Sequence, residues 1–378
     1  MQAHITRVTR HIELAPGIRL AHARGAGVVS SLPSLQRDLL CKTVRGETRA
    51  CIGADFDKTL VPTDENKRQF FFLGGDPVGM LGPLGANAFM GISTGIISGN
   101  TIEYVNARCA EPMQAFMLGF TRKQTAVGSI DSTAIYALNG GHVTLYDPSG
   151  GEDWTAMELY NKEQIIPAPL AEELTGAMQR AVMPFIKGPL LEPIPIRSGL
   201  TTSYVFSPAL QNRAGVQICL IGVPSKERGA IIDAIKDNLS PETRPKFCIQ
   251  PGGEYSIDGS LATLQKRSAG QDFMNRSGAE HMFYFGDAVY KRGNTEGNDY
   301  SMVHNPNTTV FAVNPDSAEV PKHDSVFWIG PGPEATYNLL VWLAIERADH
   351  LINDGEESRT TTWSLLKYAG MTQEQITS

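Results

Sequence analysis

The chain predicts an α/β fold: a Rossmann-like core with a parallel sheet, into which a smaller α+β unit is inserted. Three observations carry this. Short apolar runs that stop at polar, glycine-bearing loops recur at Cys51–Ala54, Ala134–Leu138 and His281–Phe285, and runs of that length between turn signals read as buried parallel strands. Between 140 and 255 the rhythm changes: Val143–Tyr146 alternates, and two strand-like runs flank Gly252-Gly253, as antiparallel hairpins do. From 256 onward the first pattern returns, with a helix-length segment between each pair of runs. This divides the chain into a core of 50–139 and 256–352 with an insert of 140–255.

A length of 378 residues is ample for two hydrophobic cores. At 42% hydrophobic and 19% charged, the composition is that of an ordinary globular protein. The net charge of −7 and a pI near 5.7 exclude a nucleic-acid partner as the expectation, because a phosphate backbone requires a basic face. The five cysteines (41, 51, 109, 219 and 248) show no metal-type or redox-type spacing, and an odd count is no disulfide framework. A reducing, cytoplasmic setting follows. The opening residues lack an apolar signal core and no run approaches membrane-spanning length, so no membrane partner is expected.

In chain order, residues 1–49 stand apart as an N-terminal appendage or oligomer contact: Ile12–Leu14 and Ile18–Leu20 suggest short strands, and Ser34–Thr43 a helix capped by Ser34. The strand Cys51–Ala54 runs into Asp55-Phe56-Asp57-Lys58-Thr59. A second strand is expected at Ala88–Ser93, closing on Thr94-Gly95, with a helix from Asn100 to Ala110. A third, Ala134–Leu138, ends in the Asn139-Gly140-Gly141 turn. The insert offers a helix near 170–187, a strand at Val216–Val223 and a helix at Lys226–Leu239. Lys266 opens a helix after Ser256-Ile257-Asp258. Beyond 315 come a strand at Ser325–Ile329, a helix from Glu334 to Ile352, and a helical tail over 353–378.

The chemistry concentrates at strand ends, where open α/β sheets bind ligands. Asp55 and Asp57 lie one residue apart, so on an extended backbone they start on a common side. Two such carboxylates repel, and a hard divalent cation relieves them. Thr94-Gly95 joins a hydroxyl to a glycine that allows close approach to a phosphate oxygen. Lys266 supplies a compact point charge. Gly286-Asp287, with Gly297-Asn298-Asp299 eleven residues on, places further carboxylates at the end of another strand.

Together these stretches resemble the four motifs of the haloacid dehalogenase superfamily, and the position of the insert is similar to its subclass with a large α/β cap. Gly252 to Asp258, Lys266, and Gly286 to Tyr300 look most like the phosphomannomutase and sugar-phosphate phosphatase group. The resemblance covers residues 50–315. It departs at Asn294-Thr295-Glu296, which are extra, and near Arg213, where a second arginine of the mutases is absent.

The resemblance implies a Mg²⁺-dependent phosphatase of a small phosphorylated metabolite, a sugar phosphate above all. In that scheme Asp55 is the nucleophile and Asp57 the general acid and base. Asp55, the Asp57 carbonyl and Asp287 hold Mg²⁺, while Thr94 and Lys266 hold the phosphoryl oxygens. Thr59, Gly95, Arg213, Asn298 and Asp299 are the further substrate-side positions, Asp299 by orienting Lys266 or water on the metal. The alternatives are a phosphohexomutase, a nucleotide monophosphatase and a non-catalytic binding protein on the same fold. A homo-oligomer is possible.

Overall fold

The computed structural model describes residues 12–61, 81–105, 133–146, 158–186, 203–206, 214–221, 223, 227–252, 256–292, 295–354, 362–364, 366–367 and 371–374. In chain order the elements are β1 (Ile12–Leu14), α1 (Pro16–Ser31), α2 (Ser34–Val44), β2 (Ala50–Ala54), α3 (Leu81–Phe89), β3 (Ser93–Ile97), β4 (Thr133–Ala137), β5 (His142–Tyr146) and β6 (Glu158–Glu163). There follow α4 (Ala168–Val182), β7 (Ser203–Phe206), β8 (Gly215–Ile221), α5 (Arg228–Asn238), β9 (Phe247–Gly252), β10 (Ser256–Leu261), α6 (Lys266–Ser277) and β11 (His281–Gly286). The chain closes with β12 (Lys291–Arg292), β13 (Thr295–Glu296), β14 (Thr308–Ala312), β15 (Val326–Trp328), α7 (Gly332–Asp354) and β16 (Thr372–Glu374).

An eight-stranded sheet in the order β15-β14-β11-β2-β3-β4-β5-β6 forms the core, confirming the predicted α/β class. From β15 to β4 every neighbouring pair is parallel, and β5 and β6 extend the edge antiparallel. The chain builds outward from β2 through β3 to β4, then returns to the other side of β2 with β11. The strand order therefore reverses between β2 and β11, where side-by-side strand ends open a crevice. Both strands are buried on both faces, which is why Ala50–Ala54 and His281–Gly286 read as continuous apolar runs.

The smaller unit is an antiparallel sheet, β7-β8-β10-β9, covered on one face by α4 and α5. Ile218, Leu220, Ile249 and Ile257 from the sheet meet Leu174, Met178, Ile231 and Ile235 from the helices. Burying a side chain of this size removes about 1.5–3 kcal/mol worth of exposed apolar surface, so this unit has a core of its own.

Several expectations need correction. Strands β5 and β6 belong to the large sheet rather than the insert, and β5 is buried rather than half-exposed. Strand β10, expected in the core, pairs with β8 and β9, so the return to the core falls at Lys266. Residues 18–20 lie in helix α1 instead of a strand, and its three glycines explain the misreading. At Gly25 a Cβ would stand 2.3 Å from the Asn338 carbonyl oxygen, so glycine lets α1 settle directly on α7. His22 Nε2 and Glu346 Oε1 meet at 3.0 Å across the same contact. Residues 12–49 thus pack into the main body rather than hang from it, and Leu40 and Val44 of α2 join the same core as β2. Helix α2 starts at Ser34, but Pro33 occupies the N-cap position and no side chain caps the end. In the expected helical tail, 362–364 and 366–367 are helical, and β16 pairs antiparallel with β1. Among the described residues no helix is long and apolar enough to cross a membrane.

Candidate active site

The site is built at the crevice between β2 and β11. Asp55 follows the last residue of β2, with its amide bonded to the Phe285 carbonyl at 2.9 Å, and Asp287 follows the last residue of β11. Lys266, the first residue of α6, is buried beneath them. Its Nζ stands 2.7 Å from Asp55 Oδ1 and 2.8 Å from Asp299 Oδ1. Asp299 also accepts from the Tyr284 hydroxyl on Oδ1 at 2.6 Å and from the Ala288 amide on Oδ2 at 2.9 Å. A Cβ on Gly286 would lie 2.6 Å from the Asp299 Cγ, so that glycine is what lets Asp299 close over the end of β11.

The electrostatics are those of crowded anions. Burial, together with the charge of Asp299, raises the Asp55 carboxyl to about 7 in spite of Lys266. Burial and then the charges of Asp55 and Asp299 push Asp287 well above the usual carboxylate range. For Lys266, burial disfavours the ammonium, but Asp299 and Asp55 more than reverse this and hold it charged. One ammonium faces three carboxylates, of which Asp55, Asp287 and Asp299 each place an oxygen within 4.8 Å of the others. Such an all-oxygen donor set with uncompensated charge fits a hard divalent cation.

Asp57 stands apart from this cluster. Phe56 between the two aspartates is fully buried and meets the Tyr104 ring edge-on at 5.8 Å. The Asp57 carboxylate accepts from Asn100 Nδ2 at 2.9 Å and from the Tyr104 hydroxyl at 3.2 Å. The chain then turns sharply through Lys58, whose φ is +60°, and closes with its amide on the Val61 carbonyl at 2.7 Å. Thr59 is buried in that turn, and its hydroxyl has no hydrogen-bond partner among the described residues.

Thr94 and Gly95 are not at the site. The strand is Ser93–Ile97, so Thr94 pairs with Ile52 near the start of β2. It lies about 10 Å short of the strand end, at roughly 3.3 Å per residue. Gly95 instead makes room for Phe273, whose ring a Cβ would meet at 2.7 Å. The residue that closes β3 at the crevice is Ser98, fully buried against Asn100. Its Oγ accepts from the Asn100 amide at 3.1 Å and from Asn100 Nδ2 at 3.3 Å. With both lone pairs engaged, what Ser98 has left to offer is its hydroxyl hydrogen. The sequence signal was present in Ile96-Ile97-Ser98-Gly99-Asn100, a β-branched pair ending in a turn. On the phosphatase expectation drawn from the sequence, with the Ser98 hydroxyl donating to a phosphoryl oxygen, Ser98→Ala should lower kcat/KM for phosphate release about ten- to hundredfold, as loss of a hydrogen bond to a charged group does. Thr94→Val should leave it within a few-fold; the reverse ranking would return the role to Thr94.

Asp55, Asp57, Ser98, Asn100 and Asp287 line a cleft of about 630 Å³ between the large sheet and the insert. Asn298 lines it with a buried side-chain oxygen that has no partner among the described residues. From the insert come Arg228 and the register pair Gln217 and Asp258, joined by a bond from Gln217 Nε2 to Asp258 Oδ1 of 2.7 Å. Burial raises the Asp258 carboxyl to about 6, with the Gln217 bond opposing the rise. Arg213 lies outside the described residues, as does Asn294; the flanking residues Lys291–Arg292 and Thr295–Glu296 form a small hairpin. Asn100, Tyr104, Tyr284 and Gln217 were not foreseen, because nothing in their local sequence marks a side chain that acts from behind another.

No protein-family model and no curated protein matches the chain. Among solved structures it is similar in chain course to Aspergillus fumigatus trehalose-6-phosphate phosphatase, with a TM-score of 0.47 at 13% identity over 83% of this chain and 99% of that one. It is similar to an N-terminally truncated Plasmodium falciparum IMP-nucleotidase, at 0.49 and 12% over 80% of this chain and 72% of that one. SMU.1108c from Streptococcus mutans gives 0.45 and 14% over 78% of this chain and 97% of that one.

Proposed function

We propose that the chain is a phosphomonoester hydrolase of the haloacid dehalogenase superfamily, acting on a small phosphorylated metabolite with a divalent cation, Mg²⁺, as cofactor. The observation that carries the reading is Lys266, shared at 2.7 and 2.8 Å between Asp55 and Asp299 at the sheet's switch point, while Asp57 is held separately on the same loop. A nucleophile beside a fixed cation, with an independent proton carrier two residues on, is the arrangement that phosphoryl transfer through a carboxylate requires.

Asp55 attacks phosphorus and forms the P–O bond as the bond to the leaving oxygen breaks. Asp57 gives that oxygen its proton. A water then attacks the aspartyl-phosphate, passes a proton to Asp57, and inorganic phosphate leaves with Asp55 restored. The bonds from Asn100 and Tyr104 hold the Asp57 carboxylate in place for both transfers. Lys266 offsets charge on the phosphoryl oxygens, and Ser98 donates its hydrogen to one of them. Asp55 and Asp287, with the Asp57 carbonyl, would hold Mg²⁺, which supplies charge neutralisation between the anionic nucleophile and the anionic phosphate. The facing pair Gln217 and Asp258 offers both hydrogen-bond donors and acceptors to the leaving group, which favours a hydroxyl-rich one, hence a sugar phosphate.

The test is phosphate release over a panel of sugar phosphates and nucleoside monophosphates, with Mg²⁺ or excess chelator. We expect turnover of at least one sugar phosphate, abolished by chelation and restored by Mg²⁺, without a bisphosphate activator. Isomer formation that depends on added hexose bisphosphate, with little free phosphate, would make the protein a mutase. Full activity in chelator would remove the cation from the scheme.

A further inference from the structure

We propose that Tyr284 is a positioning residue that assigns the three clustered aspartates their separate duties. By donating to Asp299 Oδ1, it commits that carboxylate to Lys266 and leaves direct cation ligation to Asp55 and Asp287. The inference rests on the phosphatase reading of the same site.

The packing does not call for this hydroxyl. Along β11, Phe283 and Phe285 face one core and Met282 and Tyr284 the other. Tyr284 is fully buried, with its ring against β2, where a Cβ on Gly53 would stand 3.2 Å from Cδ2. A phenylalanine would fill that space equally well. Placing a hydroxyl there carries a desolvation cost unless it finds a partner, and the partner it finds is Asp299, at 2.6 Å. Because an ionised carboxylate only accepts, the tyrosine must donate.

A carboxylate has about four acceptor directions. On Asp299, Lys266 Nζ and the Tyr284 hydroxyl occupy Oδ1, and the Ala288 amide occupies one direction of Oδ2. No direction on Oδ1 remains for a cation, although Asp299 stands as close to the cluster as Asp55 and Asp287 do. Distance alone would allow three carboxylate ligands. The tyrosine closes Oδ1 to the cation, leaving only the second direction of Oδ2 open, and keeps Asp299 as the anchor that aims Lys266 at Asp55.

Tyr284→Phe tests this by Mg²⁺ titration calorimetry together with steady-state phosphate release. With an Oδ1 direction freed, Asp299 joins the cation, and Mg²⁺ should bind on the order of tenfold tighter, as ligand charge count tunes such sites. Lys266 loses its fixed anchor, so kcat should fall about ten- to hundredfold, the value of a hydrogen bond to a charged group, with KM nearly unchanged. A purely structural tyrosine would give lower thermal stability with Mg²⁺ affinity unchanged or weaker, and that result overturns the proposal. In an Asp299→Asn background, Tyr284→Phe should bring no further tightening; an equal gain there also overturns it. If the unaltered protein released phosphate from nothing in the panel, the functional reading would fail, while the calorimetric comparison would still decide the role of Tyr284.

Discussion

Asp55→Asn should lower turnover by roughly four or more powers of ten, the scale seen when a covalent nucleophile is removed. The amide has nearly the shape of the carboxylate, so the backbone bond to Phe285 and the packing of β2 stay in place. What disappears, on the proposed mechanism, is the anion that attacks phosphorus. The folded state should not suffer in proportion, because burial already disfavours the Asp55 anion, and Lys266 keeps Asp299 as a partner. A thermal melt within a few degrees of the unaltered protein, beside turnover at background, is the expected pair of results. Near-normal turnover in a preparation free of contaminating phosphatase would end the assignment of Asp55.

Lys266→Met should do the reverse, damaging the fold as well as the chemistry. The ammonium is fully buried between Asp55 and Asp299. Deleting one member of a buried ionic group leaves the others uncompensated, at a cost of about 3–5 kcal/mol. The sign of the pH dependence follows from the carboxylates. Burial raises Asp55 to about 7 and Asp287 well above its usual range, whereas the unfolded chain titrates them near 4. Between those values the folded state binds more protons, so this part of its stability falls as pH rises. Without the ammonium the fall is steeper. The deficit of Lys266→Met should therefore be largest above pH 7, shrink in mild acid, and be partly restored by Mg²⁺. Denaturant midpoints at several pH values, with and without Mg²⁺, make the measurement; a pH-independent deficit would place Lys266 outside this charge balance.

The carboxylates and the lysine were legible because each sits where a strong backbone signal stops: an apolar run into Asp55, another into Gly286-Asp287, and the opening of a helix at Lys266. The parallel core could be inferred from the same runs. The serine was hidden by a displaced strand. The expected strand Ala88–Ser93 straddles two elements: Ala88 and Phe89 belong to the end of helix α3, and β3 begins only at Ser93. A buried apolar segment of that length does not declare its period, and the error moved the site residue by four positions. Helix α1 was lost for a related reason: Gly25, placed for close packing on α7, looks in sequence like a glycine placed for a turn. Tyr284 was beyond reach, since alternation assigns it to the core and only the structure reveals that its far end touches Asp299.

The turn after β4 also ties the site to the contact between the two sheets. The Leu138 and Asn139 amides bond back to the carbonyls of Asn100 and Ser98, and the Gly141 carbonyl accepts from Gln164, just before α4. Leu138, Ala214 and Leu264 form a small buried cluster beside this turn. At Gly141 a Cβ would fall 2.3 Å from that of Ala214, so the turn and the start of β8 touch with no room between them. The insert meets the large sheet here by direct contact. Asn100 is one hydrogen bond from this turn and one from Asp57, so the contact between the two sheets and the seat of the Asp57 carboxylate share a residue.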